Sequence, residues 1–392
     1  MIIQRAYKTE LKLNNQERTL LTGCAGAARF AYNWGLRQSI DAYEATGKRP
    51  SYPELHRQLN ELKKGDLAWL YDYSKTIPQE ALRDLDKAFQ NFFRRVKKGE
   101  KPGFPQFKSR KRGLGSFRVW GSIRVESRRI KLPRIGWLRL PESGYLPTEG
   151  VKILSATVSE QAGRWYVALQ VEEALADRRA TGEPVGIDLG IKSLATCSTG
   201  DTYDNPRALD RAMRQLARCQ RELSRRKKGS RNRAKTKANL ARLHQRIANL
   251  RRDAIHQTTS RIVAKAKPEA ERPSVMVIEN LNVSGMMHNH HLARAISDVG
   301  MGEFGRQMAY KCAWYGIVLQ QADRWYPSSK RCSGCGHVKE SLPLSERTYC
   351  CDACGLMLDR DLNAARNLAQ LSEPTASSAG CEACGDAALA VL

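Results

Sequence analysis

Val185-Gly186-Ile187-Asp188-Leu189-Gly190 places a carboxylate at the end of a short apolar run. Such runs, bounded by glycine, read as buried strands. Two later stretches repeat the theme: Val275-Met276-Val277-Ile278-Glu279-Asn280-Leu281 and Leu358-Asp359-Arg360-Asp361-Leu362-Asn363-Ala364-Ala365. Glu279 again ends a strand, and the third stretch sets an acid at the mouth of an alanine-rich helix. An Asp after a strand is by itself commonly a turn residue or a helix cap. Three acids in this order specify more. Brought to one point they can hold two Mg²⁺ ions, which clamp a phosphodiester during in-line hydrolysis.

Just before the third acid stand Cys332-Ser333-Gly334-Cys335 and Cys351-Asp352-Ala353-Cys354, each followed by glycine. Each pair reads as a knuckle whose tight turn aims two thiolates at one ion. Together Cys332, Cys335, Cys351 and Cys354 suit one Zn²⁺. A four-thiolate site has no open position, so this zinc is expected to be structural. Cys350 beside Cys351 leaves the register of the second pair open. Cys381 and Cys384 have no visible partner pair and are read as a tail feature without metal. His288-Asn289-His290-His291 lies in a polar stretch and reads as a solvent or nucleic-acid contact.

These signals predict an α/β multidomain protein: a ribonuclease H-like nuclease sheet with an inserted zinc ribbon, preceded by a β unit that carries an inserted helical block. Lys plus Arg number 66 against 40 Asp plus Glu, a formal charge of +26. Such an excess repels itself unless a polyanion neutralises it, so nucleic acid is the natural partner. No apolar run reaches the ~18 residues of a membrane span, and Met1-Ile2-Ile3-Gln4-Arg5 lacks a signal-peptide core. A soluble, cytoplasmic protein with no membrane partner is expected. Cys-x-x-Cys pairs there imply metal, not disulfides.

Around these motifs the chain divides by pattern. Residues 1–12 alternate as a first strand, and 116–173 are strand-rich, with a hairpin turning at 160–163. Strand 1 is expected to return to this β unit, residues 1–12 and 108–180, leaving 13–107 as a helical insertion. Ser51-Tyr52-Pro53-Glu54 is a capping box. Pro78 opens a helix whose stripe Leu82, Leu85, Phe89, Phe92, Phe93 and Val96 is expected to be core. Basic residues follow, including Lys97, Lys98, Lys108 and Arg110. Residues 183–328 and 358–370 form the nuclease domain, 329–357 the ribbon and 371–392 a flexible tail. Within the nuclease domain, 207–266 reads as an antiparallel helical hairpin. Its expected seams are Leu209, Met213, Leu216, Gln220 and Leu223 against Leu240, Leu243, Ile247, Leu250 and Ala254. Its outer faces carry a one-sign array that includes Arg218, Arg225, Arg226, Lys227, Lys228, Arg231 and Arg233, read as a phosphate track.

The same motifs resemble the TnpB (OrfB) proteins of insertion sequences, relatives of compact type V CRISPR effectors. The resemblance covers almost the whole chain. It runs through Ala27-Ala28-Arg29-Phe30-Ala31-Tyr32-Asn33-Trp34, Lys101-Pro102-Gly103-Phe104-Pro105-Gln106-Phe107-Lys108, Gly186-Ile187-Asp188-Leu189-Gly190-Ile191-Lys192, Ile278-Glu279-Asn280-Leu281, Ala295-Ile296-Ser297-Asp298 and Asp359 to Ala365. It implies that the β unit is a wedge domain, the helical block a recognition domain and the sheet a RuvC nuclease. Asp188, Glu279 and Asp361 would hold the catalytic Mg²⁺. Asp361 is preferred because the family acid precedes x-Asn-Ala-Ala, which leaves Asp359 a helix cap. Met301 stands where the family often has Trp, and Asn14-Asn15 where Pro is common.

The implied activity is RNA-guided, Mg²⁺-dependent cutting of double-stranded DNA beside a short flanking motif. The guide RNA would come from the transposon end, and a monomer is expected. Two alternatives stay open: a strand-transferring transposase on the same fold, and a nuclease-inactive RNA-guided regulator.

Overall fold

The computed structural model describes residues 1–264, 267–343 and 345–372. The expected tail from 373 onward, with Cys381 and Cys384, lies outside them. The chain separates into two compact units, Met1–Leu175 and a second beginning at Ala176.

The first unit opens with β1 (Ile2–Leu11), followed by α1 (Asn15–Thr46), α2 (Tyr52–Leu62) and α3 (Thr76–Lys97). Asn14 caps α1: its side chain accepts from the Glu17 amide, and the Glu17 carboxylate accepts from the Asn14 amide. That reciprocal box explains why this chain tolerates Asn where a Pro is common. Ser51 caps α2 in the same way, with Glu54 accepting from its amide at 2.7 Å. The chain then forms β2 (Ser116–Val119), β3 (Arg124–Glu126), β4 (Arg129–Leu132), β5 (Gly136–Arg139), β6 (Val151–Gln161) and β7 (Arg164–Ala174). β1 pairs antiparallel with β7 over its whole length, from Ile2 opposite Ala174 to Leu11 opposite Trp165. The four-stranded order is β1-β7-β6-β2, and β3-β4-β5 make a separate small sheet. Helices and sheet share one apolar cluster, from Leu21 and Leu36 to Leu85, Val119 and Val167. Glu80 of α3 crosses to the sheet, accepting from Trp120 at 3.2 Å and pairing with Arg118 at 3.5 Å.

The stripe on α3 is core only in its first half. Leu82, Leu85 and Phe89 are buried, whereas Phe93 and Val96 are 54% and 50% exposed. The helix runs past the edge of what covers it. Phe104 then folds back, its ring 5.8 Å from Phe89 and 5.5 Å from Phe92.

The second unit begins with β8 (Val185–Asp188), β9 (Ser193–Cys197) and β10 (Thr202–Asp204), then α4 (Ala208–Arg225) and α5 (Arg231–Ile262). After these come β11 (Val275–Ile278), α6 (Val283–Met286), α7 (Ala293–Val299), α8 (Met301–Tyr315) and β12 (Val318–Gln321). β13 (Thr348–Cys350), β14 (Met357–Asp359) and α9 (Arg360–Ala369) complete it. The central sheet has the order β10-β9-β8-β11-β12. β8, β11 and β12 are parallel, while β9 and β10 run antiparallel. β8 and β11 read as unbroken apolar runs because the parallel part is covered on both faces. α8 packs over Met276 and Ile278 in one cluster, and Leu368 of α9 packs with Val275 and Val277 in another.

In the α4–α5 hairpin, Leu216, Leu243 and Ile247 are buried together, but Leu250 is 48% exposed. The seam changes course there: Ile255, Thr258 and Thr259 take over as the buried face of α5. Met301 is buried at the start of α8 among the apolar residues around Phe304. His290 and His291 are exposed, with ring centroids 4.0 Å apart. Among the described residues no helix is long and apolar enough to cross a membrane.

Candidate functional site

Parallel pairing of Ile187 with Ile278 brings Asp188, the last residue of β8, and Glu279, the residue just after β11, to the same edge of the sheet. Strand ends at the carboxyl edge of a parallel sheet are where such folds place ligands. Asp361 arrives from α9, which lies along β8. The approach is close because position 186 is glycine: a Cβ there would come within 2.0 Å of the Ala365 carbonyl oxygen and 2.4 Å of the Ala369 nitrogen.

Asp188 and Glu279 feel their surroundings and the neighbouring acids. Burial first, then the charges of Glu279 and Asp361, hold the Asp188 carboxyl well above its usual range. Burial also raises Glu279, with Asp361 adding to it; a hydrogen bond from Ser328 at 2.7 Å acts the other way. A cation's charge would ease the crowding of such partly buried carboxylates. A cavity of about 60 Å³ opens beside Glu279, lined also by Asn280, Asp323, Arg324 and Tyr326.

Asp359 does a different job. Its side chain accepts from the amides of Asp361 and Leu362 at 2.9 and 3.1 Å and so caps α9. Asp361 carries no such duty and has Arg347 3.9 Å away.

The four cysteines Cys332, Cys335, Cys351 and Cys354 offer sulfurs that all lie within 4.8 Å of one another. Cys332 to Cys354 is 3.7 Å and Cys335 to Cys351 is 3.6 Å. Tetrahedral zinc with ~2.3 Å bonds requires sulfurs about 3.8 Å apart, so the donor set fits. The two knuckles repeat one pattern. The Gly336 amide donates to Cys332 and the Gly355 amide to Cys351, each glycine in the left-handed region, with φ of 79° and 72°. Amides of Cys354 and Ala353 aimed at its sulfur bring the Cys351 thiol down to about 6. Cys350 is the end of β13, paired with Met357; the second knuckle therefore uses Cys351.

The basic residues divide. Arg218, Arg225, Lys227, Lys228 and Arg231 are exposed along the hairpin, and Lys97, Lys98 and Arg110 in the first unit. Arg226 and Arg233 are committed to closing the hairpin turn. Arg226 pairs with Glu222 and donates to the Asn232 carbonyl at 2.8 Å. Arg233 donates to the carbonyls of Leu223 and Arg226. Lys108 is held on α1, its backbone paired with the Asn33 side chain and its ammonium 4.0 Å from the Tyr32 ring. A one-sign charge list does not distinguish free cations from those that cap helices.

Sequence reading missed Ser328, Asn367 and the spacing role of Gly186. Asn363 and Asn367, one helical turn apart beside Ala364 and Ala365, are fully buried. Asparagines one turn apart on an otherwise apolar face were the available signal.

A family model described as "Probable transposase" matches residues 156–290. A Cas12f1-like TNB domain model matches 302–368, and a helix-turn-helix model 1–48. The last of these covers β1 and the single unbroken helix α1. A Streptomyces pristinaespiralis protein named "Putative RNA-guided DNA endonuclease" is 38% identical over 393 residues, covering 98% of this chain and 92% of its own. The chain belongs to the TnpB (OrfB) family. A second TnpB-like relative, from Escherichia coli K12 and named "Putative RNA-guided DNA endonuclease InsQ", is 33% identical over 93% of this chain and 91% of its own. The solved mini-RNA-guided endonuclease CRISPR-Cas phi3 shares the fold, with a TM-score of 0.50 at 7% identity over 94% of this chain and 92% of that one.

Proposed function

We propose that this TnpB-family chain is an RNA-guided, Mg²⁺-dependent DNA endonuclease, encoded by a transposable element and cutting beside a short flanking motif. The observation that supports the proposal is the parallel pairing of β8 with β11, which sets Asp188 and Glu279 at one edge of the sheet, with Asp361 on the helix α9 that packs closely against β8. The relatives' names point the same way.

Asp188, Glu279 and Asp361 would hold two Mg²⁺. When bound, the ions supply an activated water and stabilise the leaving oxygen of the phosphodiester. The protein's own part is placement. The strand ends fix two carboxylates, α9 brings the third, and Ser328 orients Glu279. The exposed arginines and lysines of the α4–α5 hairpin and of residues 97–110 would hold the phosphates of a structured RNA from the transposon end. Base pairing by that RNA supplies the sequence specificity, and protein reads the flanking motif that starts duplex opening. The displaced strand then enters the acid cleft single-stranded.

The test is purification with copurifying RNA, followed by cutting of a plasmid library with reprogrammed guides. Cutting that follows the guide and one flanking motif, and that stops in EDTA, supports the reading. Cutting without RNA, or indifferent to the guide, replaces it with a plain nuclease. Joined DNA ends replace it with a strand-transferring transposase.

A further inference from the structure

Both halves of the zinc ribbon lead to an acid of the proposed nuclease centre. The second half does so through the chain itself: β14 leaves the second knuckle, and its last residue, Asp359, is the cap of α9, which carries Asp361. The first half does so through buried side chains. The Ser333 amide, inside the first knuckle, donates to Asn363 Oδ1 at 2.9 Å. Asn363 Nδ2 donates to the Arg331 carbonyl at 2.7 Å. Asn367 Nδ2 donates to that same carbonyl at 2.6 Å and to the Ser328 carbonyl at 2.8 Å. Ser328 Oγ then donates to Glu279 Oε1 at 2.7 Å. Asn363 and Asn367 are fully buried and Ser328 nearly so, so water does not substitute for a lost link.

We infer that the ribbon and the acid cluster are one coupled device, in which Ser328 is a positioning residue for Glu279 and zinc at the four cysteines raises the affinity of Asp188, Glu279 and Asp361 for a divalent cation. The inference rests on reading those acids as the Mg²⁺ site. Its physical basis is preorganisation. With the knuckle closed, the 328–333 segment has one conformation and Glu279 is held at its cleft. With the knuckle open, Ser328 loses its anchor on Asn367, and Glu279 must be ordered by the cation at the expense of binding. Coupling of this kind is reciprocal: whatever zinc does for Mg²⁺ affinity, Mg²⁺ does for zinc.

The experiment uses the purified full-length chain with its RNA. Zinc loss to a chromophoric chelator is followed with and without Mg²⁺, and Mn²⁺ binding is measured directly by electron paramagnetic resonance on zinc-loaded and zinc-stripped protein. We expect Mg²⁺ to slow zinc loss severalfold and zinc removal to weaken Mn²⁺ binding. Ser328→Ala removes only a hydroxyl. It should keep one zinc, keep RNA binding, and raise the Mg²⁺ needed for half-maximal cutting about tenfold, the scale of a hydrogen bond to a charged group. Excess Mg²⁺ and Ser328→Thr should both restore cutting, which a misfolded variant would not allow. Zinc loss indifferent to Mg²⁺, or a Ser328→Ala protein with the parental Mg²⁺ requirement, overturns the coupling while leaving the nuclease reading intact. A parental protein that neither binds Mn²⁺ nor cuts DNA overturns the nuclease reading itself, and the coupling with it.

Discussion

Gly186 lies so close to Ala365 that no methyl group fits between the strand and the helix. Each of these residues stands near an acid: Gly186 precedes Asp188 and Ala365 follows Asp361 on the same elements. A Cβ at 186 meets backbone atoms, which cannot rotate away. Gly186→Ala is expected to cost about 3 kcal/mol or more, the upper range for overpacking, and to abolish DNA cutting by moving α9. Thermal unfolding and a cleavage assay on the same preparation check both effects.

Asp361→Ala and Asp359→Ala should separate cleanly. Loss of a metal-holding acid removes cutting and leaves folding and RNA binding in place. Loss of the Asp359 cap costs about 1 kcal/mol of stability and leaves residual cutting. Full activity in Asp361→Ala with none in Asp359→Ala would reverse the assignment.

Metal analysis should find about one zinc per chain, the stoichiometry of a four-thiolate site. Cys350→Ser should retain it and Cys351→Ser should lose it, because only the Cys351 sulfur faces the other three. A zinc-free protein that is folded would sink the assignment.

Reversing charge at Arg218, Lys227, Lys228 and Arg231 should weaken RNA binding and flatten its salt dependence, by ~0.7 in log–log slope for each lost contact with a single strand. Arg226→Ala should act differently. Its guanidinium is spent on Glu222 and Asn232, so the melting temperature should fall more than the salt slope. Filter binding across a salt series, beside thermal melts, distinguishes the two.

Asp298 anchors the hairpin. It accepts from the amides of Leu209 and Asp210 at the start of α4 and pairs with Arg251 of α5 at 2.8 Å. Asp298→Ala removes the carboxylate from Arg251, which keeps its bond to the Asp298 main-chain carbonyl, and from two amides, and should cost about 3 kcal/mol, as for a broken buried pair. Faster amide hydrogen exchange in the first turn of α4 would locate the damage.

What the sequence made legible is local. β11 coincides with its predicted run Val275 to Ile278, and β8 ends on Asp188. Each follows from apolar period within a few residues. The knuckle pattern was legible because thiolate geometry demands it. What escaped depends on partners far along the chain. The stripe of α3 looks uniform, yet Phe93 and Val96 outrun their cover. Leu250 fits the heptad but not the fold, because Ile255 and Thr259 turn α5 towards α8. Ser328 is an ordinary loop serine until Glu279 is seen beside it. Arg226 and Arg233 look like phosphate contacts until the turn they close is known.

The order of elements along the chain has a temporal meaning. The centre of the sheet, β8, is synthesised well before α9, the helix that covers it and brings Asp361. A nascent polypeptide on the ribosome therefore carries two of its acids while the third is still unmade. Pairing between such distant segments is also slow to form. The proposed acid cluster is complete only when almost the whole described chain has emerged. On the nuclease reading, a translation product ending before residue 360 lacks the third acid and would not cut.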